Sequence, residues 1–475
     1  MNKSYLKIVA ISGVIVLPVV LAYFAYWYPG YFSSQTYLER LIFLEFLAVA
    51  VWLFRKTFYS VVIVSFLLAG VQLPLGSMWT TARWLVLGIG VLVGLAIMLR
   101  DRRYSFQTFH LLAFFAILAG MVSAAVSQYT TVSSLKVLSL FLLFLYAATG
   151  ARLAVFDRES RFFAGLITGA EIFVALVTVF YLMGREIMGN PNSLGAVMGV
   201  AAAPILLWGI MVAQDSFARR RRVIFYAIAM YLTYFSQARA AIAAACLSSV
   251  LLCLALRKYK LLAQGVGAVA VLVAVIGITA PEVYSGAIST VSSTVVFKGR
   301  DPSEGLLSSR HSVWQETMDT VHDHFWFGTG FGTSDTGQQS AETGVFASSS
   351  TISTEHGSSY LAIIAWVGMM GVLPFVLLLG VLGTKVFQTF FWIFRNGNAN
   401  YGAVPLAALM VACMVHAAFE DWLFAPGYYL CVFFWTMAFV FIDQAGALPM
   451  RASRTLTATP VTTPWRDVGA VVPGR

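Results

Sequence analysis

The chain of 475 residues is 59% hydrophobic and only 11% charged, against roughly 45–50% and about 25% in soluble globular domains. So little charge cannot clothe a water-facing surface, and the mean hydropathy of +0.80 excludes a soluble multidomain protein, a disordered chain and a disulfide scaffold alike. The net charge of +10 is compatible with a nucleic-acid or anionic-lipid surface, or with the charge asymmetry of a membrane topology.

A membrane-crossing helix needs about 20 mainly apolar residues. In chain order the candidates are 6–28, 40–54, 57–74, 79–99, 106–126, 133–154, 162–183, 193–214, 222–236, 240–256, 261–280, 358–384, 402–418 and 427–443. The short pair 222–236 and 240–256 reads equally well as a broken hairpin, so the expectation is an all-α polytopic membrane protein of about 12–14 transmembrane helices. Near-continuous hydropathy without two-residue alternation argues against a β-barrel. The organisation divides into 1–280 with the first eleven candidate spans, a large outward loop over 281–357, the last three spans over 358–443, and a polar, proline-bearing tail over 444–475. The four cysteines, Cys246, Cys253, Cys413 and Cys431, fall inside apolar runs and read as small buried hydrophobes.

Basic residues orient such a chain, because cytoplasmic loops carry the excess of Lys and Arg. With Lys3 and Lys7 inside, 23 of the 31 Lys and Arg lie on the inner side and 8 on the outer. The net charge is then +17 inside, −5 outside and −2 within spans, from Glu45 and Glu171. The +10 is an orientation signal and needs no nucleic acid. Both termini are expected to be cytoplasmic. The first span, too long for a signal peptide and lacking a clean cleavage site, is expected to stay uncleaved.

The outward loop of 77 residues is far longer than ordinary connections. From Ser309 to Phe325, Val313, Trp314, Met318, Val321 and Phe325 recur at helical spacing and predict an amphipathic helix. Phe327-Gly328-Thr329-Gly330-Phe331-Gly332 follows. It reads as a plain turn or, less readily, as a backbone cradle for phosphate, since no Lys-Ser/Thr follows. The Ser/Thr/Gly-rich stretch 334–353 is expected to be mobile. His311, His322, His324 and His356 lie in this loop, and His416 is near the outer end of its span. His322 and His324 point apart on a helix and lack a third ligand at the right spacing, so no metal site and no cofactor is expected.

Two outward arginines run against the charge bias: Arg185, in Gly184-Arg185-Glu186 before Asn190-Pro191-Asn192, and Arg239, in Ser236-Gln237-Ala238-Arg239. Each alone reads as snorkelling to headgroups. Together, fixed guanidiniums at headgroup depth suit a bidentate grip on pyrophosphate. Arg310 is a third candidate, or equally a surface residue at a helix start. His356 before Tyr360 can accept a proton from a hydroxyl at neutral pH, or make a structural hydrogen bond. Glu420-Asp421 after His416 reads as a sugar-binding or basic pair, or as loop charge. Glu45 and Glu171 are intramembrane carboxylates and read equally as functional candidates or as partners in an interhelical hydrogen bond.

These features in this order resemble the O-antigen ligase and polymerase superfamily of bacterial membrane glycosyltransferases, over roughly 184–425. The carrying pieces are Gly184-Arg185 with Asn190-Pro191-Asn192; Ser236 to Arg239; Arg310 to Trp314 leading to the glycine cluster; His356 with Tyr360, Gly368 and Gly371; and His416 with Phe419-Glu420. Lys298-Gly299-Arg300-Asp301-Pro302 looks more like the exopolysaccharide polymerases of the same superfamily.

The resemblance implies a glycan donor on undecaprenyl diphosphate, a glycan or lipid A-core acceptor, and an active site on the periplasmic side of the bacterial inner membrane. Arg185 and Arg239 match the arginines that hold diphosphate, and His356 the histidine that activates the acceptor. Arg310, Asn192, Ser236, Tyr360, Glu420 and His416 are the expected substrate-binding set. The reaction implied is a metal-independent, inverting transfer. The rival is a multispan transporter or flippase, which would put polar contacts near the bilayer midplane and interrupted spans in matching halves. A third reading, a sensor or assembly scaffold, predicts tolerance of changes at these residues.

Overall fold

A computed structural model describes Tyr26, Gly30, 49–50, 52–71, 76–98, 106–185, 187–188, 191–279, 308–333 and 356–446. Met1–Arg55 forms one compact unit and Lys56–Arg475 another. Most of the candidate spans 6–28 and 40–54, with Glu45, lie outside the described residues, as do 280–307, 334–355 and 447–475.

The second unit is a helical bundle. Its elements are α1 (Phe58–Gly70), α2 (Gly76–Met98), α3 (Thr108–Val126), α4 (Thr130–Ala148), α5 (Gly150–Val155), α6 (Glu159–Leu182), α7 (Pro191–Gly195), a π-helical turn (Ala196–Ala202), α8 (Ala203–Met211), α9 (Ser216–Phe235), α10 (Arg239–Ala255), α11 (Tyr259–Thr279), α12 (Ser308–Asp323), α13 (Ser359–Asn396), α14 (Ala403–Ala417) and α15 (Tyr429–Gly446). No strand occurs among the described residues. Among the described residues six helices are long and apolar enough to cross a membrane: Thr108–Val126, Thr130–Val155, Glu159–Leu182, Pro191–Met211, Ser359–Asn396 and Tyr429–Gly446. Four shorter apolar helices accompany them: Phe58–Gly70, Ala82–Met98, Arg239–Ala255 and Ala403–Ala417. The chain is thus an all-α polytopic membrane protein, as its hydropathy predicts.

α15 and α14 form the centre. Trp435, Phe434, Phe439 and Phe441 of α15 are fully buried, and Phe144 of α4 meets Trp435 edge-on at 4.8 Å. Outward-facing Leu, Val and Phe on α3, α6 and α13 stay exposed, which costs nothing where the neighbour is hydrocarbon. Two carboxylates inside the bundle are paired with arginines. Arg152 clasps Asp443 through two hydrogen bonds of 2.5 and 2.8 Å. Glu171, singled out above as a functional candidate, is held by Arg221 at 3.1 Å and Arg222 at 3.7 Å. α9 begins with its arginine run capped by Asp215, so the carboxylate of α6 meets a cationic helix start, and a structural ion pair accounts for it.

The pair 222–236 and 240–256 is a hairpin of two helices, α9 and α10. Gln237 turns the chain with φ +54°. α13 is one helix by sequence but broken by structure. Gly368 has φ 64° and ψ −178°, extended geometry inside a run of 38 residues.

Candidate functional site

The break in α13 is where the outward loop enters the bundle. Opening the helix frees the carbonyls of Ala365 and Trp366, and these accept N–H groups from Thr329 (3.0 Å) and Gly330 (3.1 Å). In return Met369 and Met370 donate to Phe325 and Trp326. Ser123 bonds the Trp366 carbonyl, Ser127 that of Thr329, Ser133 that of Phe331, and Lys136 that of Gly332. Phe331 is buried against Trp366 and Phe375. The glycine cluster is therefore a turn wedged between α3, α4 and α13. The N–H groups of Gly328, Thr329 and Gly330 are spent on carbonyls, which leaves the phosphate cradle considered above without those donors. Gly330 sits at φ +108°, and a Cβ there would lie 2.1 Å from Ser127 Oγ, so only glycine fits.

Above this wedge α12 lies across the start of α13. Its helix runs from Ser308 to Asp323, within two residues of the predicted amphipathic stretch. The inward face is Thr317, which is buried, with half-buried Val313, Trp314 and Val321, while Met318 and Phe325 of the predicted stripe are exposed. Thr317, a polar residue on that face, has a specific partner. Its hydroxyl meets His356 Nδ1 at 3.1 Å and donates to the Val313 carbonyl at 2.8 Å. The indole N–H of Trp366 donates to His356 Nε2 at 3.1 Å. An indole nitrogen can only donate, so Nε2 is bare and the proton sits on Nδ1. His356 is 2% exposed, and burial lowers its pKa to about 4. Its backbone N–H donates to Asp421 Oδ2 at 2.9 Å.

A second set of contacts binds the same helices to the loop after α14. Arg310 Nη2 donates to Glu420 Oε1 at 2.5 Å, with side chains 17% and 18% exposed. The Glu420 carbonyl accepts from the Ser359 hydroxyl (2.6 Å) and backbone N–H (3.1 Å). Trp314 bonds the Gly357 carbonyl and stacks on Phe419. Tyr360 spends its hydroxyl on the Met414 carbonyl at 2.7 Å. Trp422 donates to Nδ1 of His416, which is buried, and His416 Nε2 has no hydrogen-bond partner. Arg310, His356, Tyr360, His416 and Glu420 thus share one cluster.

Asn192, Ser236 and Arg239 belong to an adjoining one. α7 packs against the Ser236–Ala238 turn so closely that a Cβ on Gly195 would lie 2.4 Å from Ser236 Oγ. Arg239, half-buried, opens α10 directly after that turn. Tyr428 links the clusters. Its hydroxyl meets Ser193 Oγ at 3.2 Å. Burial raises its pKa, hydrogen bonds from Ser193 and Tyr429 oppose this, and the carboxylate of Glu420 raises it further. Arg185 stands apart, exposed just past the end of α6. Tyr181, one turn earlier, meets Phe235 edge-on at 6.1 Å, which sets Arg185 at the same end of the bundle as Ser236.

Sequence reasoning passed over Arg83. It reaches from α2 to the Gly427 carbonyl at 2.7 Å, beside Tyr428, and lies over the rings of Phe66 and Trp84. An arginine inside an apolar run, on the side expected to face outward, carries the same signal that picked out Arg239. Trp366 was passed over as an ordinary span residue. His322 is exposed beside Asp323, and no group of three His, Cys, Asp or Glu able to hold a metal occurs among the described residues.

Residues 223–376 match the family model described as O-antigen ligase. The match encloses Ser236, Arg239, Arg310, His356, Tyr360 and the break in α13, while Arg185, Asn192, His416 and Glu420 lie outside it. No curated protein matches the chain.

Proposed function

With residues 223–376 belonging to the O-antigen ligase family, we propose that the protein is a glycosyltransferase acting at the periplasmic face of the bacterial inner membrane. It moves a glycan from undecaprenyl diphosphate to a sugar hydroxyl of a growing glycan or of lipid A-core. The carrying observation is the convergence of Arg310, Glu420 and His356, with Asn192, Ser236 and Arg239 beside them, at helix ends.

The bond formed joins the acceptor oxygen to the anomeric carbon. The bond broken releases the diphosphate with its electron pair, and the acceptor proton passes to a base. The donor is already activated, so catalysis consists mainly of placement and of stabilising charge on the departing diphosphate. Arg239 begins α10, where the guanidinium and the positive end of the helix dipole both favour an anion. Arg185, exposed at the same end, closes on the diphosphate from α6. The transfer is inverting and requires neither metal nor cofactor.

His356 is neutral at physiological pH and so in the state a base requires. The acceptor hydroxyl takes the place of the Trp366 indole N–H at Nε2. The hydrogen bonds on both ring nitrogens favour a second reading, in which His356 positions α12 against α13 and Glu420 or Asp421 receives the proton.

The transporter alternative expects polar substrate contacts at the midplane. The carboxylates within the bundle, Asp443 and Glu171, are ion-paired to arginines, and the open chemistry gathers at helix ends. A glycan gel from a deletion strain tests the proposal. Loss of polymer from its final acceptor, with lipid-linked polymer accumulating, identifies a ligase; unpolymerised single repeats identify a polymerase. Unchanged glycans overturn the reading, and altered solute uptake with them identifies a transporter.

A further inference from the structure

A groove of about 510 Å³ runs between α1, α6, the π-helical turn with α8, and α15. Its walls include Tyr59, Ile63, Phe173, Ile205 and Phe433. Its floor is bare at Gly165 and Gly169, where an added Cβ would meet nothing within 4 Å. One end reaches Tyr429, whose hydroxyl donates to the Ser193 carbonyl beside the cluster described above. The opposite end is lined by Lys56, Arg158 and Arg161. No hydrogen bond or ion pair engages these three side chains among the described residues.

Three cations at one end of an apolar groove need an explanation. Arg158 caps α6 and Arg161 lies in its first turn, where the helix dipole disfavours positive charge and favours an anion. Asp157 and Glu159 flank Arg158 in sequence, and Glu159 accepts a hydrogen bond from Gln444 at 3.0 Å. From Arg161 to Phe173 the helix rises about 18 Å at roughly 1.5 Å per residue. One leaflet of hydrocarbon is about half of a ~30 Å core, so the groove takes one chain of a single leaflet, with the cations at headgroup level. A polyprenyl tail entering from the Tyr429 end would instead leave its hydrocarbon terminus among three cations.

We propose that this groove is a binding site for one anionic phospholipid of the leaflet on the Lys56 side, which the distribution of basic residues makes cytoplasmic. Its acyl chain lies on Gly165 and Gly169, and its phosphate sits between Lys56, Arg158 and Arg161. The site is separate from the proposed transfer chemistry and stands without it.

Native mass spectrometry of the full-length protein in mild detergent tests this, with phosphatidylglycerol, phosphatidylcholine of the same acyl chains, and undecaprenyl phosphate as probes. The wild type is expected to retain phosphatidylglycerol over phosphatidylcholine by on the order of tenfold or more. Combining Lys56→Gln, Arg158→Gln and Arg161→Gln brings the two lipids level. Gly169→Leu fills the floor, removes retention of both, and leaves the melting temperature no lower, because leucine favours the helix over glycine. Equal retention of the two phospholipids by the wild type overturns the proposal. So does phosphatidylglycerol binding that survives both variants, or undecaprenyl phosphate that displaces it and is indifferent to the three neutralisations.

Discussion

Removing either member of the Arg310–Glu420 pair tests whether the helix ends are held as one unit. The pair joins α12 to the loop after α14 through a contact of 2.5 Å. An ion pair in water contributes only about 0.2–1 kcal/mol, whereas stranding one charge of a buried pair costs roughly 3–5 kcal/mol. Side chains 17% and 18% exposed lie nearer the buried case, so Arg310→Ala and Glu420→Ala are each expected to destabilise by about 2–3 kcal/mol. The Glu420 carbonyl that accepts from Ser359 belongs to the backbone and survives both changes. In the double variant no charge is stranded, so the loss falls short of the sum by about 2 kcal/mol. Denaturant unfolding of the purified protein in detergent, followed by tryptophan fluorescence, gives all four corners of the cycle. Losses that simply add would refute the coupling.

Arg239→Ala and Arg185→Ala are expected to abolish glycan transfer while the protein stays in the membrane; full activity in both, read on a glycan gel, sinks the diphosphate grip. His356→Gln is expected to lower transfer by roughly 10²–10⁴-fold, and Trp366→Phe, which uncovers Nε2, to keep it. A folded Trp366→Phe protein as inactive as His356→Gln would favour the positioning reading of His356. The folded-state pKa of about 4 lies below the ordinary 6.5, so the stability contributed by neutral His356 is complete above pH 6.5 and is lost as pH falls towards 4. The loss is about 3 kcal/mol; unfolding midpoints across that window measure it, and His356→Gln should flatten the profile. Gly330→Ala forces a Cβ onto Ser127 at a positive φ and is expected to cost about 3 kcal/mol or more, measured as a fall in melting temperature.

The helices were legible because a lipid-facing chain writes them in long apolar runs. Their ends at Thr108, Glu159 and Arg239 fall within a few residues of the hydropathy boundaries. Clustering was only partly legible. Arg239 and Arg310 stood out as cations on an acidic face, but nothing local announces that Arg310 meets Glu420 across 110 residues of chain. Intramembrane position alone leaves Glu171 open between function and an interhelical contact, because its partners, Arg221 and Arg222, lie fifty residues on in the arginine run that starts α9. The break in α13 was invisible. Gly368 is one of several glycines in apolar runs, and what opens the helix there is a loop more than thirty residues upstream competing for its carbonyls.

That competition has a bearing on assembly. Carbonyls without partners are expensive in hydrocarbon, so α13 cannot open at Gly368 before the N–H groups of Thr329 and Gly330 arrive to donate to them. Until then the 38 residues favour an unbroken rod of about 57 Å at roughly 1.5 Å per residue, nearly twice the ~30 Å core. The chain therefore commits its topology with a straight, overlong helix and bends it afterwards, when the wedge docks. Insertion and maturation of the outer rim become separable events, and a variant arrested between them would be correctly threaded yet lack the His356–Trp366 contact altogether.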